Sequence, residues 1–242
     1  MRRVVTLCLT LLILFPHPPS ASGVTVPERF TFDLHWGIVR AGGAIQEIRE
    51  ENGEIVVSSR AFSADWLSGI YPVDDRVESR LRKGERSILG EVREFRLRTR
   101  EGKRVKDRQV IFDHGKGVAH YRDLLKKESL EIPIVPTARD VYSSFQYLRT
   151  MPLEVGKTVY LDVVDSKRLW RVEVKVLRKE RLKTVLGVVE TIVVNPMVKS
   201  EGIFEKTGAI HIWLTDDQRR IPVKMQTKVM IGSITATLVK VE

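Results

Sequence analysis

The densest set of side chains able to grip a ligand is Arg96, Arg98, Arg100, Arg104, Lys106 and Arg108, flanking Glu101-Gly102-Lys103. If those three residues form a hairpin turn, Arg100 faces Arg104, Arg98 faces Lys106 and Arg96 faces Arg108. Six cations then share one face. Directly opposed like charges destabilise a sheet, so such a ladder calls for acidic neighbours, splaying or a bound anion. A phosphate or carboxylate group suits it, because guanidinium groups hold such groups by paired, charge-assisted hydrogen bonds. A register shifted by one residue interleaves Thr99 and Val105 instead and leaves a solvated outer face.

A second set is aromatic. Trp36, Trp66, Tyr71, Trp170 and Trp213 lie on strand-like segments. On a curved sheet such residues either fill the core or line an apolar cavity fit for a lipid or hydrophobic peptide. Trp36, Trp66, Tyr71 and Trp213 join the six cations as candidate ligand-binding residues, with Tyr142 and Tyr147 placed at the cavity mouth. Reactive motifs are lacking: the chain has no Gly-x-Ser-x-Gly elbow and no His-Glu-x-x-His. His114 and His120 flank a glycine turn and read as ordinary histidines or, less simply, a two-histidine metal site. Asp74-Asp75 and Asp216-Asp217 read as turn carboxylates that accept backbone N–H groups. Neighbours on a strand point to opposite faces, so neither pair alone makes a general acid and base across one bond. The expectation is a non-enzymatic protein with no cofactor and no metal; a hydrolase would need distant side chains to converge.

The elements that must position these residues are mostly strands. Phe30, Phe32, Leu34, Trp36 and Ile38 alternate with polar residues, and Gly42-Gly43 then marks a bulge or bend. Asn52-Gly53 is a hairpin signal before a return strand over Ile55 to Ala64. Val77 to Leu81, Val92 to Thr99, a strand ending at Phe112 and Val118 to Leu125 continue the pattern. Ala138, Val141, Phe145 and Leu148 fall at helical spacing, with a Thr137/Asp140 capping-box variant before them and Pro152 after, which predicts the principal helix over Ala138 to Arg149. Beyond it come Trp170 to Val176 after a turn at Asp165-Ser166-Lys167, then Val188 to Val194 stopped by Asn195-Pro196. Ala209 to Leu214, the polar turn Thr215 to Arg220 and Ile221 to Val241, bent at Gly232, close the chain. Strands at roughly ten-residue spacing with tight turns predict a mainly β fold: a strongly curved antiparallel sheet or incomplete β-barrel with the helix packed on or in it. A two-lobed sheet divided near 135–150 is the alternative.

The first residues supply an address. Met1, Arg2 and Arg3 precede an apolar run from Val4 to Phe15, then Pro16, Pro18, Pro19 and the small residues Ser20 to Gly23. This is a signal-peptide layout over 1–23, leaving 24–242 as a single β domain, exported, in the periplasm and soluble after cleavage. At about a dozen residues the run is short for a membrane span. The lone cysteine, Cys8, lies inside it, which removes disulfides, cysteine zinc sites and cysteine nucleophiles from the mature chain. The chain has 41 basic and 31 acidic side chains; without Arg2 and Arg3 the net charge is about +8. In that compartment a positive excess favours lipid, glycolipid or another anionic envelope component over nucleic acid.

The residues also carry a resemblance. Phe32-Asp33-Leu34-His35-Trp36-Gly37-Ile38 with Ala41-Gly42, Ser68-Gly69-Ile70-Tyr71-Pro72-Val73-Asp74-Asp75, Gly208-Ala209-Ile210-His211-Ile212-Trp213-Leu214-Thr215-Asp216-Asp217, Arg220-Ile221-Pro222-Val223 and Gly232-Ser233-Ile234 resemble the exported bacterial family labelled domain of unknown function 3108. The resemblance implies an envelope protein of β architecture and carries over no catalytic residue. By looser analogy, a curved sheet with a helix is similar to periplasmic lipoprotein carriers that hold acyl chains in an unclosed barrel, though fold alone does not imply function. The expected role is binding of an amphiphilic or anionic envelope ligand; the alternative is a structural module pairing with an envelope protein through a sheet edge.

Overall fold

A computed structural model describes residues 23–85, 87–165, 167–197, 210–229 and 232–242. The leader with Cys8 lies outside the described residues, as do Ser166 and the Gly208-Ala209 pair. The strands are β1 (Glu28–Trp36), β2 (Val39–Glu51), β3 (Glu54–Ser63), β4 (Asp74–Lys83), β5 (Leu89–Glu101), β6 (Arg104–Asp113), β7 (Val118–Asp123), β8 (Glu128–Pro133), β9 (Arg139–Asp140), β10 (Thr158–Asp165), β11 (Arg168–Thr184), β12 (Gly187–Met197), β13 (Ile210–Thr215), β14 (Pro222–Lys228) and β15 (Ser233–Val241). Helix α1 is the short Asp65–Ser68, and α2 is Val141–Leu148.

All fifteen strands form one sheet, ordered β8-β7-β6-β5-β4-β3-β2-β1-β15-β14-β13-β12-β11-β10-β9. Chain neighbours are sheet neighbours from each edge inward, and the first and last strands meet in the middle, with Phe32 opposite Leu238. Every pairing is antiparallel except the two-residue parallel match of β9 with β10. This is a mainly β fold, a large curved sheet left unclosed between β8 and β9. Residues 134–138 cross from one edge to the other, and Lys167 Nζ meets Glu128 at 2.7 Å beside them.

Local chemistry accounts for the curvature. Asn52 (φ 52°) and Gly53 (φ 78°) make the two-residue β2–β3 turn, which needs left-handed backbone at both positions. The β1–β2 register slips between Leu34 and His35, opposite Ala41 and Gly42. At Gly42 a Cβ would lie 2.0 Å from the Phe62 carbonyl oxygen, so the bend there admits no side chain. Strand β12 runs through Asn195 and Pro196 rather than stopping before them: its pairing with β13 ends at Val194, so Pro196 is paired on one side only, opposite Val174 of β11.

Helix α2 lies within the concavity and touches β3, β4 and β5 on one half and β9 and β10 on the other. It is shorter than the helical spacing predicts. Asp140 itself is the N-cap, because its carboxylate accepts from the Tyr142 and Ser143 N–H groups. Residues 138–139 stay extended, and Arg139 pairs with Val163 of β10. Two apolar clusters pack against the helix, one along β2–β8 around Leu81, Val92 and Tyr121 and one along β10–β13 around Val174 and Leu214; a third lies at the central seam around Phe30, Phe32 and Leu238.

Candidate functional site

The basic hairpin turns in two residues, not three. Gly102 (φ 60°) and Lys103 form the turn and Glu101 pairs with Arg104. A side chain at Gly102 would meet the Tyr71 ring at 2.8 Å, and its N–H donates to the Pro72 carbonyl, so the β3–β4 connection clamps this turn. The ladder of Arg100 with Arg104, Arg98 with Lys106 and Arg96 with Arg108 is therefore absent. Arg98 instead opposes Asp107, Arg96 opposes Gln109 and Thr99 opposes Lys106. The one-residue difference sends the six cations to two faces. Arg96, Arg98 and Arg100 project outward; Arg104, Lys106 and Arg108 share the face of Phe95 and Leu97. There Arg108 lies 3.6 Å from the buried Asp123 and over the Tyr121 ring.

A different set of like charges is opposed on the outer face. Arg60 of β3 sits opposite Arg76 of β4, and Arg76 sits opposite Arg98 of β5. Each of these three side chains is more than half exposed. Asp74 accepts from Arg60 Nε at 3.0 Å and from Arg76 Nε and an Arg76 terminal nitrogen at 3.3 and 3.0 Å. These hydrogen bonds, that to Arg76 foremost, hold Asp74 below the usual carboxylate range. Asp107 accepts from Arg96 at 3.0 and 3.1 Å, and Arg98 Nε stands 3.7 Å away. The row borders a groove of about 600 Å³ across β1–β5 that also takes in Arg29, Arg49 and Arg96, with Glu47, Glu78 and Glu94.

The aromatic candidates divide as well. Trp36, Trp66 and Tyr71 are exposed together at one end of the sheet. Trp36 ends β1 and lies against Gly232 in the β14–β15 turn, where an added Cβ would come within 3.4 Å of the indole nitrogen. Trp66, on α1, donates its indole N–H to the Arg40 carbonyl at 3.0 Å. Tyr71 lies on the Gly102 turn. These contacts join four hairpin tips into one rim, on which Ile38 is 97% and Ile70 80% exposed, with Val39 and Ile234 beside them. Arg40, Lys103, Arg104 and Lys228 are exposed on the same tips.

Trp213 is not part of that surface. It is buried in the central cluster, donates to Glu180 at 2.5 Å and carries Lys224 over its ring. Tyr142 and Tyr147 pack between the helix and the core clusters rather than at a mouth, Tyr147 under the Arg139 guanidinium at 4.2 Å. His114 Nε2 meets the Val92 carbonyl and His120 pairs with Glu131. Among the described residues no cluster of three or more metal-ligating side chains occurs.

The family model for proteins of unknown function DUF3108 matches residues 31–239. The chain belongs to this family. No curated protein matches it. Among solved structures it is similar to the beta-barrel-like protein of domain of unknown function DUF1849 from Brucella abortus, at 15% identity and a TM-score of 0.57, over 90% of this chain and 97% of that one. A looser likeness is to the hypothetical protein CT021 from Chlamydia trachomatis, at 8% identity and a TM-score of 0.39, over 90% of this chain and 87% of that one. The first similarity shows a shared fold.

Within this DUF3108 chain the sequence pattern leaves Arg60, Arg76, Ile38 and Ile70 unmarked as site residues. Arg60 and Arg76 meet only through strand register, which a single strand does not display. Ile38 alternates like a core residue, yet Gly37 (φ 59°) turns the chain just before it and puts it at a hairpin tip. Tyr71-Pro72 beside Ser68-Gly69-Ile70 is the readable signal: aromatic and aliphatic residues among turn formers, where a purely solvated loop would be polar.

Proposed function

We propose that this protein is an exported envelope protein that binds an anionic amphiphile, a lipid or glycolipid, with the rim of its sheet. The observation that carries this reading is the contiguity of Trp36, Ile38, Trp66, Ile70 and Tyr71, exposed on adjoining hairpin tips beside Arg40, Lys103, Arg104 and Lys228. Burying one such side chain contributes roughly 1–2 kcal/mol, so five give a gross of about 5–10 kcal/mol before the cost of association. Each nearby cation adds about 1 kcal/mol at an anionic surface. The concavity of the sheet holds α2 and the two apolar clusters packed against it, which supports contact at the rim rather than enclosure of an acyl chain. On the β8 edge, Glu128, Glu131 and Pro133 are residues that blunt strand addition, so edge pairing with a protein partner is the weaker reading.

The test is co-sedimentation with vesicles of phosphatidylglycerol and phosphatidylcholine, read together with tryptophan emission. Binding to the anionic vesicles with a blue shift is expected, weakened at least tenfold in Ile38→Asp/Ile70→Asp and reduced by 0.5 M salt. Wild-type protein that stays in the supernatant at every lipid concentration would refute the reading.

A further inference from the structure

We propose that Arg60, Arg76 and Arg98, aligned across three adjoining strands, form a phosphate-binding site on the outer wall of the sheet. The site is separate from the rim and does not depend on the rim reading. Three features of the wall carry it. First, the guanidinium groups are direct cross-strand neighbours on one face, an arrangement that costs stability unless negative charge is close by. Second, the resident carboxylates fall one short: Glu47, Glu78 and Glu94 with Asp74 and Asp107 stand against Arg29, Arg49, Arg60, Arg76, Arg96 and Arg98. Third, donors are left over. Each guanidinium has five N–H groups in a fixed fork. Arg60 gives its Nε to Asp74, Arg76 gives Nε and one terminal nitrogen, and Arg98 comes no closer to Asp107 than 3.7 Å. All three arginines line the groove of about 600 Å³, which is open to solvent.

The chemistry selects the ligand class. Forked donors on neighbouring strands suit a group with several oxygens and a double negative charge, that is a phosphomonoester or a diphosphate. Carboxylates are already present as Asp74 and Asp107, so a monoanionic carboxylate ligand adds little that these do not supply. Arg60 lies three residues from Ser63 and Arg76 two from Asp74, the rim ends of β3 and β4, or about 7–10 Å at the strand rise. The same site therefore accepts either a soluble phosphate compound or the headgroup of an amphiphile whose chains lie at the rim.

Titration calorimetry at low ionic strength tests this with two probes, inorganic pyrophosphate and dihexanoyl phosphatidic acid below its micelle concentration, with the zwitterionic, net-neutral dihexanoyl phosphatidylcholine as the reference. Saturable one-to-one binding is expected, weakened at least tenfold in Arg76→Gln/Arg98→Gln and less than twofold in Lys116→Gln/Arg122→Gln, which removes equal charge elsewhere. Arg76→Lys/Arg98→Lys keeps the charge and removes the fork; it should also lose most of the affinity, and it stands in if the glutamine pair fails to fold. Binding of pyrophosphate alone assigns the site to soluble phosphates, and binding of phosphatidic acid assigns it to headgroups. Failure of both probes to saturate, or equal weakening in both glutamine pairs, overturns the proposal. Ile38→Asp/Ile70→Asp should bind pyrophosphate as wild type does, so loss of vesicle binding and loss of the phosphate site are read separately.

Discussion

Asp74 and Asp75 are the same residue type one position apart, and the strand places them in opposite electrostatic settings. Asp74 faces outward to Arg76 and Arg60 and is held below its ordinary pKa. Asp75 faces inward, and burial, with Glu101 and Asp74 nearby, pushes it up to about 6, against the Arg100 N–H and Lys106 that favour its ionised form. A raised carboxyl pKa contributes stability that is present while the group is protonated and lost as pH rises through the folded pKa. Between about pH 4 and pH 6 this group therefore makes the fold less stable with rising pH. Asp75→Asn keeps an oxygen acceptor for the Arg100 N–H, found at 3.0 Å in the wild type. After allowance for solvent screening it should gain about 1–2 kcal/mol at pH 8 and lose that slope. Thermal unfolding of both proteins from pH 4 to pH 8 checks this; equal melting temperatures at pH 8 would contradict it. The sequence reads this pair as turn carboxylates; both instead lie on β4, where Asp74 accepts from arginine side chains, and strand geometry sends the two to opposite faces. The burial of one member does not follow from that geometry, because it depends on which face turns towards α2.

At the scale of elements, helix α2 and the β5–β6 hairpin show what short patterns miss. Both were legible as elements; their ends and register were not. Thr137 offered a capping side chain, but its hydroxyl is used on Asp162 at 2.6 Å, and Asp140 caps instead. Its carboxylate also accepts from the Ser79 and Ser143 hydroxyls at 2.6 and 2.5 Å, in full burial that raises its pKa above the usual range. Asp140→Ala removes the cap, worth about 1 kcal/mol, and strands two hydroxyls and two N–H groups in the core at about 1–3 kcal/mol more. A total loss of about 3 kcal/mol is expected in urea unfolding, and a change below 1 kcal/mol would show that other contacts set the helix end. In the hairpin, the turn length was decided by Tyr71 lying on Gly102, a contact across some thirty residues of chain that no local periodicity records.

For the whole molecule, the meander and its curvature were readable because each turn is local: Asn52-Gly53, Gly117, Gly187 and Gly232 all adopt positive φ at the ends of alternating runs. What unites the two halves was not readable, since it is a set of long-range contacts. The central seam joins β1 to β15, and beneath it one side chain gathers three distant segments. Arg149, just past α2, is fully buried. It donates to Glu28 at 2.7 and 3.1 Å, to Gln146 at 2.7 Å and to the carbonyl oxygens of Gly23, Arg219 and Arg220 at 2.9–3.0 Å. The start of β1, the end of the helix and the β13–β14 turn thus share one guanidinium. Such a pair is weak evidence of net stabilisation against an apolar replacement of the whole pair, but removing one partner leaves a buried charge and orphaned acceptors. Arg149→Met should cost about 3–5 kcal/mol, and Arg149→Met/Glu28→Gln should recover part of that loss, because the stranded carboxylate goes with the arginine. Arg149→Lys keeps a charge near Glu28 but reaches fewer of the carbonyls, so it should fall between wild type and the methionine variant. Urea midpoints of the four proteins decide it. If Arg149→Met and Arg149→Met/Glu28→Gln are equally destabilised, the loss comes from the carbonyl contacts alone, and the ion pair is not what joins the halves.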